Sequence, residues 1–350
     1  MGKYDYRGVI HCHSTYSDGT GTFEEIAKAA NEVGLDFVMM TDHDQMKPME
    51  DGQEKWQDSV LMICGTEITP PTNHYIAFGE KKLKDVEKLK LLKPQEVIDA
   101  VAEQGWFGFL AHPDHMGTKK FQVPSLRWDA WDAERYTGIG LWDLMTDWQS
   151  QLDRDEVSID VYRDFEDWLS GPRMETLKRW DELNLKRKVV GIGEIDNHKY
   201  VREHNGETLH IFPYEVAFRT VTNHILLDKP LEKDYKKAKK QVLEAVKHGS
   251  LYVSFDYWDD PTEFAFEIDN GKKVAGMGDT IELGEKTELV ASFPQEGLLN
   301  VYHNGASVLE EEGDEILFDI TEPGVYRVEA MRNDIVWVLS NPIFVKPPKG

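Results

Sequence analysis

The stretch Val9-Ile10-His11-Cys12-His13-Ser14-Thr15-Tyr16-Ser17-Asp18-Gly19 climbs from an apolar run into two histidines. The period-two alternation of a strand predicts both imidazoles on one face, with Cys12 on the other. Paired imidazoles with a carboxylate five residues on suit a divalent cation. A single HxH is as readily a pair of surface or core histidines. Recurrence of the same arrangement downstream is what separates a site from coincidence.

Phe37-Val38-Met39-Met40 predicts a second buried strand, running into Thr41-Asp42-His43-Asp44. Val60 to Cys64 predicts a third, ending in Gly65-Thr66-Glu67, and His74 to Phe78 a fourth that opens on its histidine. Phe107 to Ala111 delivers His112-Pro113, Gly138 to Trp142 is a further strand, and Val189 to Ile195 delivers Asp196-Asn197-His198. Helical spacing is predicted over Thr22–Val33, with Thr22 as N-cap and Gly34 as stop, and over Gln95–Gln104 behind Pro94. It is also predicted over Met174–Leu183, and over about Lys233–Lys247 with Gly249 as stop. Lys81 to Lys93 reads as a solvated connector. Alternating βα units argue for a parallel sheet, with polar groups gathered at the carboxyl ends of its strands. An open doubly wound sheet would place its site at the same ends.

Between residues 114 and 172 the pattern changes. Seven of the ten tryptophans fall between Trp106 and Trp180, and Asp129 to Trp168 holds twelve acids against three arginines. The expectation is an inserted helical subdomain beside the site, its tryptophans either packing it down or touching substrate. From about residue 256 short strand-like runs alternate with the turn signals Asn270-Gly271, Asn304-Gly305 and Pro323-Gly324. They predict a small immunoglobulin-like β-sandwich over 256–350, behind a first domain of 1–255. His303, beside a turn, reads as a surface histidine.

At 350 residues, 40% apolar and 30% charged, the chain can bury a sizeable core. Its formal charge of -24 opposes duplex nucleic acid and anionic membrane as partners. A small anionic substrate stays compatible, because bound cations can dominate the field inside one site. Two cysteines give no disulfide framework, the N-terminus lacks the apolar core of a signal peptide, and no apolar run reaches membrane-spanning length. A cytoplasmic location is expected.

The ligand-capable residues are His11, His13, Asp18, His43, Glu67, His74, His112, Asp196 and His198, which include six of the twelve histidines. Imidazole and carboxylate without thiolate suit zinc, iron or manganese. Nine ligands exceed one tetrahedral ion, so two or three divalent transition-metal ions sharing a carboxylate are expected. Here the chain resembles the PHP (polymerase and histidinol phosphatase) superfamily over roughly Tyr4 to Ser254. The motifs are His11-Cys12-His13 with Ser17-Asp18-Gly19, Thr41-Asp42-His43, Gly65-Thr66-Glu67, Ala111-His112-Pro113 and Asp196-Asn197-His198. The β module and the closing Ser340-Asn341-Pro342-Ile343-Phe344-Val345 are similar to a branch that includes carbaryl-type hydrolases.

The resemblance implies a distorted (β/α)7 TIM-like barrel with a trinuclear metal centre. Carried over by residue, His11, His13, Glu67 and Asp196 would hold one metal, and Glu67 would bridge to a second held by His74 and His112. Asp18, His43 and His198 would hold the third. Lys199 to Thr222 shows no phosphate-binding signature.

The function expected is hydrolysis of a small phosphomonoester or a short-oligonucleotide terminus, with a metal-bridging hydroxide as nucleophile and Glu67, Asp196 and His198 as catalytic residues. The alternative keeps the metals and hydrolyses a carbamate or carboxylic ester, the tryptophan-rich stretch being an aryl pocket. A third reading makes the barrel a silent scaffold for a β module that binds a partner or glycan. Lys119, Arg135, Arg202 and Arg219 are candidate phosphate contacts, each as readily a surface cation. His115 and His204 are candidate proton donors, and Asp44 is a candidate for orienting His43.

Overall fold

The computed structural model describes residues 3–120, 122–153, 164–204 and 206–348. The first half alternates β1 (Tyr4–Cys12), α1 (Phe23–Val33), β2 (Phe37–Met40), α2 (Lys47–Glu50), β3 (Lys55–Gln57), β4 (Val60–Cys64), β5 (Thr66–Ile68) and β6 (Tyr75–Phe78). It continues through α3 (Val86–Leu89), α4 (Pro94–Glu103), β7 (Phe107–Leu110), β8 (Gly138–Asp143), α5 (Leu144–Ser150), α6 (Met174–Asn184) and β9 (Val190–Glu194). Then come β10 (Val201–His204), β11 (Glu207–His210), α7 (Tyr214–Ala217), β12 (Val221–Leu227), α8 (Tyr235–His248) and β13 (Leu251–Phe255).

Local chemistry sets these limits. Thr22 and Glu25 form a reciprocal capping box at the start of α1, and Gly34 closes it in the left-handed conformation. β2, β4, β7, β8 and β9 are buried along their whole length, as strands covered on both faces must be. β1 pairs parallel with β2, β2 with β4, β7 with β8 and β8 with β9.

The expected barrel is not what forms: no sheet closes. The strands fall into an open 14-stranded sheet, running through β13-β12-β1-β2-β4-β3, and a separate five-stranded sheet, β5-β6-β7-β8-β9. A barrel needs one continuous ladder with a consistent stagger. Here β5 and β6 pair antiparallel, β12 lies antiparallel against β1, and among the described residues the two sheets meet only at isolated bridges such as Cys12–Asn197 and His43–Glu67, with no continuous ladder between them. Isolated hydrogen bonds, Ile195 N to Ile10 O at 3.2 Å and Glu67 N to Thr41 O at 3.0 Å, hold the strand ends together across the gap.

The strands after residue 255 join the sheet that carries β1. β14 (Ala265–Asp269), β15 (Val274–Gly276), β16 (Thr280–Glu282), β17 (Glu288–His303), β18 (Ala306–Asp319), β19 (Gly324–Arg332), β20 (Ile335–Ser340) and β21 (Ile343–Lys346) continue the 14-stranded sheet. β20 pairs with β13 from Tyr252–Ser340 to Ser254–Val338. Asn304-Gly305 does turn a hairpin, with φ of 53° and 82°, but it joins two strands of 16 and 14 residues. Period-two patterning gives strand identity but not which sheet edge a strand joins.

Within 114–172 the described residues include β8, α5 and a short 3-10 turn at Phe165–Trp168. Trp128, Trp142 and Trp148 are buried in the main core, with Trp106 and Trp180. Residues 154–163 of the expected insertion lie outside the described residues. No helix among the described residues is long and apolar enough to cross a membrane.

Candidate metal centre

The strand ends bring all nine predicted ligand residues together in three groups. His11, His13, Glu67 and Asp196 form one, Glu67, His74 and His112 a second, and Asp18, His43, His198 and His13 a third. Within each, one ligand atom per residue lies within 4.8 Å of the others. Glu67 is the hub. Its Oε1 lies 2.8 Å from His74 Nδ1 and 3.1 Å from His112 Nε2. Its Oε2 lies 3.0 Å from His43 Nδ1 and 3.2 Å from His11 Nε2. Asp196 Oδ1 is 3.2 Å from both His11 Nε2 and His13 Nε2, and Asp18 Oδ1 is 3.2 Å from His198 Nε2.

Simple alternation does not produce this convergence. His11 has φ 73°, and the β1–β2 register slips between Ile10 and Cys12. His112 and Asp196 also have positive φ, at 28° and 41°. Such backbone is costly for a residue with a side chain, and it clusters where strand ends must re-aim side chains.

Electrostatics support cations here. Burial alone would raise the Glu67 carboxyl, but the imidazoles of His11 and His74 hold it well below the usual range. Burial would lower His43 and His112, yet the facing carboxylates, Asp18 and Glu67 for His43 and Glu67 for His112, push them up to about 10 and about 9. His13, buried and beside His198, falls to about 3. His43 and His112 thus carry protons that metal ions would replace. His11 Nε2, both ring nitrogens of His13, His43 Nδ1 and Asp196 Oδ1 are buried without a hydrogen-bond partner among the described residues. Unpartnered nitrogens and oxygens aimed at shared points are what a multi-metal centre requires.

Two supporting acids escaped the reading of the sequence. Glu194 is fully buried at the end of β9, where Oε1 accepts from His11 Nδ1 at 3.0 Å and Oε2 from the backbone N–H of His112 at 2.8 Å. Gly140 leaves room for it: a Cβ there would sit 1.5 Å from Glu194 Oε2. The available signal was an acid inside the otherwise apolar run Val189–Ile195. Asp42, also buried, accepts from Ser14 N, Ser14 Oγ and Ser17 Oγ at 2.8–2.9 Å and so fixes the loop carrying Asp18.

Asp44 does not orient His43; it accepts from Thr69 N and Oγ1 at 3.0 and 2.6 Å. His115 is buried, with Nε2 donating to Gln149 Oε1 at 3.0 Å and Nδ1 accepting from Leu126 N at 3.3 Å, so neither nitrogen is open for proton transfer. The side chain of His204 lies outside the described residues. Arg135 pairs with Asp99 at 2.7 Å, and the backbone of Lys119 donates to Asp153. Arg219 lines a cavity with Tyr257 and Phe165, and Arg202 lines another beside Tyr200. His303 stacks on Tyr326 at 4.4 Å and takes no part in the three groups.

Residues 10–167 match the family model described as PHP domain. The curated proteins returned no match. Among solved structures, the chain is similar to a two-domain protein from Bacteroides vulgatus described as containing a predicted PHP-like metal-dependent phosphoesterase, at 14% identity and TM-score 0.47, covering 97% of this chain and 96% of that one. A presumed metal-dependent phosphoesterase from Bifidobacterium adolescentis aligns at 17% identity and TM-score 0.38 over 58% of this chain and 90% of that one. An amidohydrolase from Chromobacterium violaceum aligns at 11% identity and TM-score 0.32 over 59% and 92%.

Proposed function

We propose that this chain carries a metal-binding hydrolase domain of the PHP superfamily, in keeping with the match over residues 10–167 and the three ligand groups, and that it hydrolyses small phosphomonoesters or the terminus of a short oligonucleotide. The observation that carries this is the sharing of Glu67 between two ligand groups and of His13 between two, which joins the three groups into one centre. Three cations in one centre suit a substrate that arrives as a dianion and gains charge at its reacting oxygens. Zinc, iron and manganese are the ions the donor set fits.

His11, His13, Glu67 and Asp196 would hold one ion, Glu67, His74 and His112 a second, and Asp18, His43 and His198 a third. Bound there, such ions lower the pKa of a water toward neutrality and offset negative charge on a phosphoryl oxygen. The chain's own contribution is placement. Glu194 fixes the His11 ring with its Nδ1–H turned away from the centre. Asp42 rigidifies the turn that presents Asp18, and Tyr200, stacked on His198 at 4.7 Å, covers that ring's outer face. Glu67, Asp196 and His198 are the residues we assign to catalysis. Cys12 and Cys64 are free, buried thiols, which fits the cytoplasmic location proposed.

The test is a panel of a phosphomonoester, a phosphodiester and an aryl carbamate with metal-reconstituted protein. The phosphomonoester should be turned over far faster than the carbamate, and His198→Ala should slow it more. Faster carbamate or ester hydrolysis that His198→Ala spares would make the metal-dependent carbamate or ester hydrolase the answer.

A further inference from the structure

A cavity of about 470 Å³ opens between α5 and the β10–β11 hairpin. Its lining includes Met145, Trp148, Leu152, Leu209 and Ile211. The first three are buried, so the floor belongs to the protein core, while Leu209 is half-buried on the hairpin. One of its walls touches the metal centre, and another reaches it through His115. Tyr200 lines the cavity, stacks on His198 with ring centroids 4.7 Å apart and interplanar angle 9°, and places its hydroxyl 3.4 Å from Asp18 Oδ2. Gln149 lines it as well and binds His115 at 3.0 Å, whose ring lies 5.4 Å from that of His112.

The cavity therefore adjoins the centre on two sides, at the third ligand group through Tyr200 and at the second through Gln149 and His115. Its size falls within the range of pockets that enclose a small molecule, roughly 300–1,000 Å³, and its floor is apolar as such pockets are. One cation stands at its edge: Arg202, 5.5 Å above the Tyr200 ring. Glu203 is tied to Thr208 at 2.7 Å. A second cavity of about 480 Å³ shares Trp148 and Ile211 with the first but lacks Tyr200 and Gln149, the residues through which the first reaches the ligand groups.

We propose that the cavity floored by Met145, Trp148 and Leu152 and walled by Tyr200 and Leu209 receives the organic part of the substrate. The preferred substrate is then a phosphomonoester of a flat, apolar alcohol. This rests on the phosphoester reading of the metal centre. Apolar walls reward each buried methylene or ring carbon and offer a polyhydroxylated group little to bond.

The experiment uses the full chain reconstituted with manganese, and compares 2-naphthylmethyl phosphate with glycerol 1-phosphate, whose alcohols are of comparable acidity. The naphthyl ester should show kcat/KM at least about tenfold higher. Leu209→Trp, which fills the cavity from the hairpin side, should remove that preference by lowering kcat/KM for the naphthyl ester about tenfold more than for glycerol 1-phosphate, and Leu209→Ala should weaken it. No preference in the wild type, or an equal loss on both substrates in Leu209→Trp, overturns the proposal. Should neither phosphate turn over, the phosphoester reading fails, and calorimetric binding of 2-naphthylmethylphosphonate against methylphosphonate judges the cavity by itself. Tighter naphthyl binding that Leu209→Trp erases supports it; equal binding overturns it.

Discussion

Glu194 Oε1 accepts the Nδ1–H of His11 at 3.0 Å, while its second oxygen takes the backbone N–H of His112 at 2.8 Å. One buried carboxylate thus orients two strand ends that each carry a ligand group. A carboxylate behind a ligating histidine fixes its tautomer and raises its basicity, and losing it typically lowers metal affinity about 10–100-fold.

Glu194→Gln keeps the volume and loses the charge. It should weaken metal binding by roughly that factor with the fold intact, because an amide oxygen can serve one donor and its NH2 then faces the other. Competition titration against a chelating indicator, with circular dichroism as control, measures it. Unchanged affinity would remove Glu194 from the supporting role. Gly140→Ala should reproduce the loss, since its Cβ would occupy the carboxylate's seat.

Most of the ligand residues were legible because they stand beside apolar runs that become buried strands here: His11, His13, His43, Glu67, His112, Asp196 and His198 follow such runs, and His74 precedes one. Asp18, in the loop after β1, was legible only from its place five residues beyond His13. What was not legible is how they are aimed. His11, His112 and Asp196 all use positive φ, which no side-chain pattern announces. Glu194 was hidden for a related reason: an acid flanked by apolar residues in β9 looks like a break in the pattern until Gly140 is seen to make room for it. Sheet closure was misjudged because βα alternation reports parallel neighbours, whereas the reversals at β5–β6 and at β1–β12 depend on contacts far apart in the chain.

Glu67 and His43 should differ in consequence. Glu67 faces His74, His112, His43 and His11 at 2.8–3.2 Å, whereas His43 sits at the rim, its side chain 26% exposed. Glu67→Ala should empty two ligand groups and His43→Ala mainly one. Elemental analysis after reconstitution would show this as a larger drop in ions per chain for Glu67→Ala. Equal drops in the two variants would defeat the hub assignment.

His224 makes a pH prediction that is independent of the metals. It is buried, with Nδ1 2.9 Å from Asp5 and Nε2 3.3 Å from Asp256. Burial alone would lower its pKa, but Asp256 and Asp5 override this and push it up to about 9. A pKa raised on folding adds stability that is complete below about 6.5 and drains as pH rises through about 9. The amount is on the order of 3 kcal/mol. Urea unfolding of metal-loaded wild type and His224→Asn at pH 6 and 9.5 should show the gap between them shrinking at the higher pH. A gap that stays constant would mean the imidazole is not charged in the folded protein.

Asn341 binds the C-terminal strands to the sheet that carries Asp196. Its side chain accepts from Gly191 N at 2.8 Å and donates to Gly191 O at 2.8 Å and Leu251 O at 3.1 Å, with 1% of the residue exposed. Asn341→Ala should cost roughly 2–4 kcal/mol, because it leaves the buried N–H and C=O of Gly191 in β9 without the side chain that binds them. Metal stoichiometry should persist, since Asn341 touches none of the ligand residues named above. The same geometry bears on the division we propose near residue 255. A 1–255 fragment would lose β20 from the edge of β13 and expose Tyr252, Val253 and Ser254 to pairing with other chains. It should aggregate or melt well below the full chain even with its ligand residues intact. A soluble, fully metallated fragment with the full chain's melting temperature would show that β14 to β21 are dispensable for the fold around the metal centre.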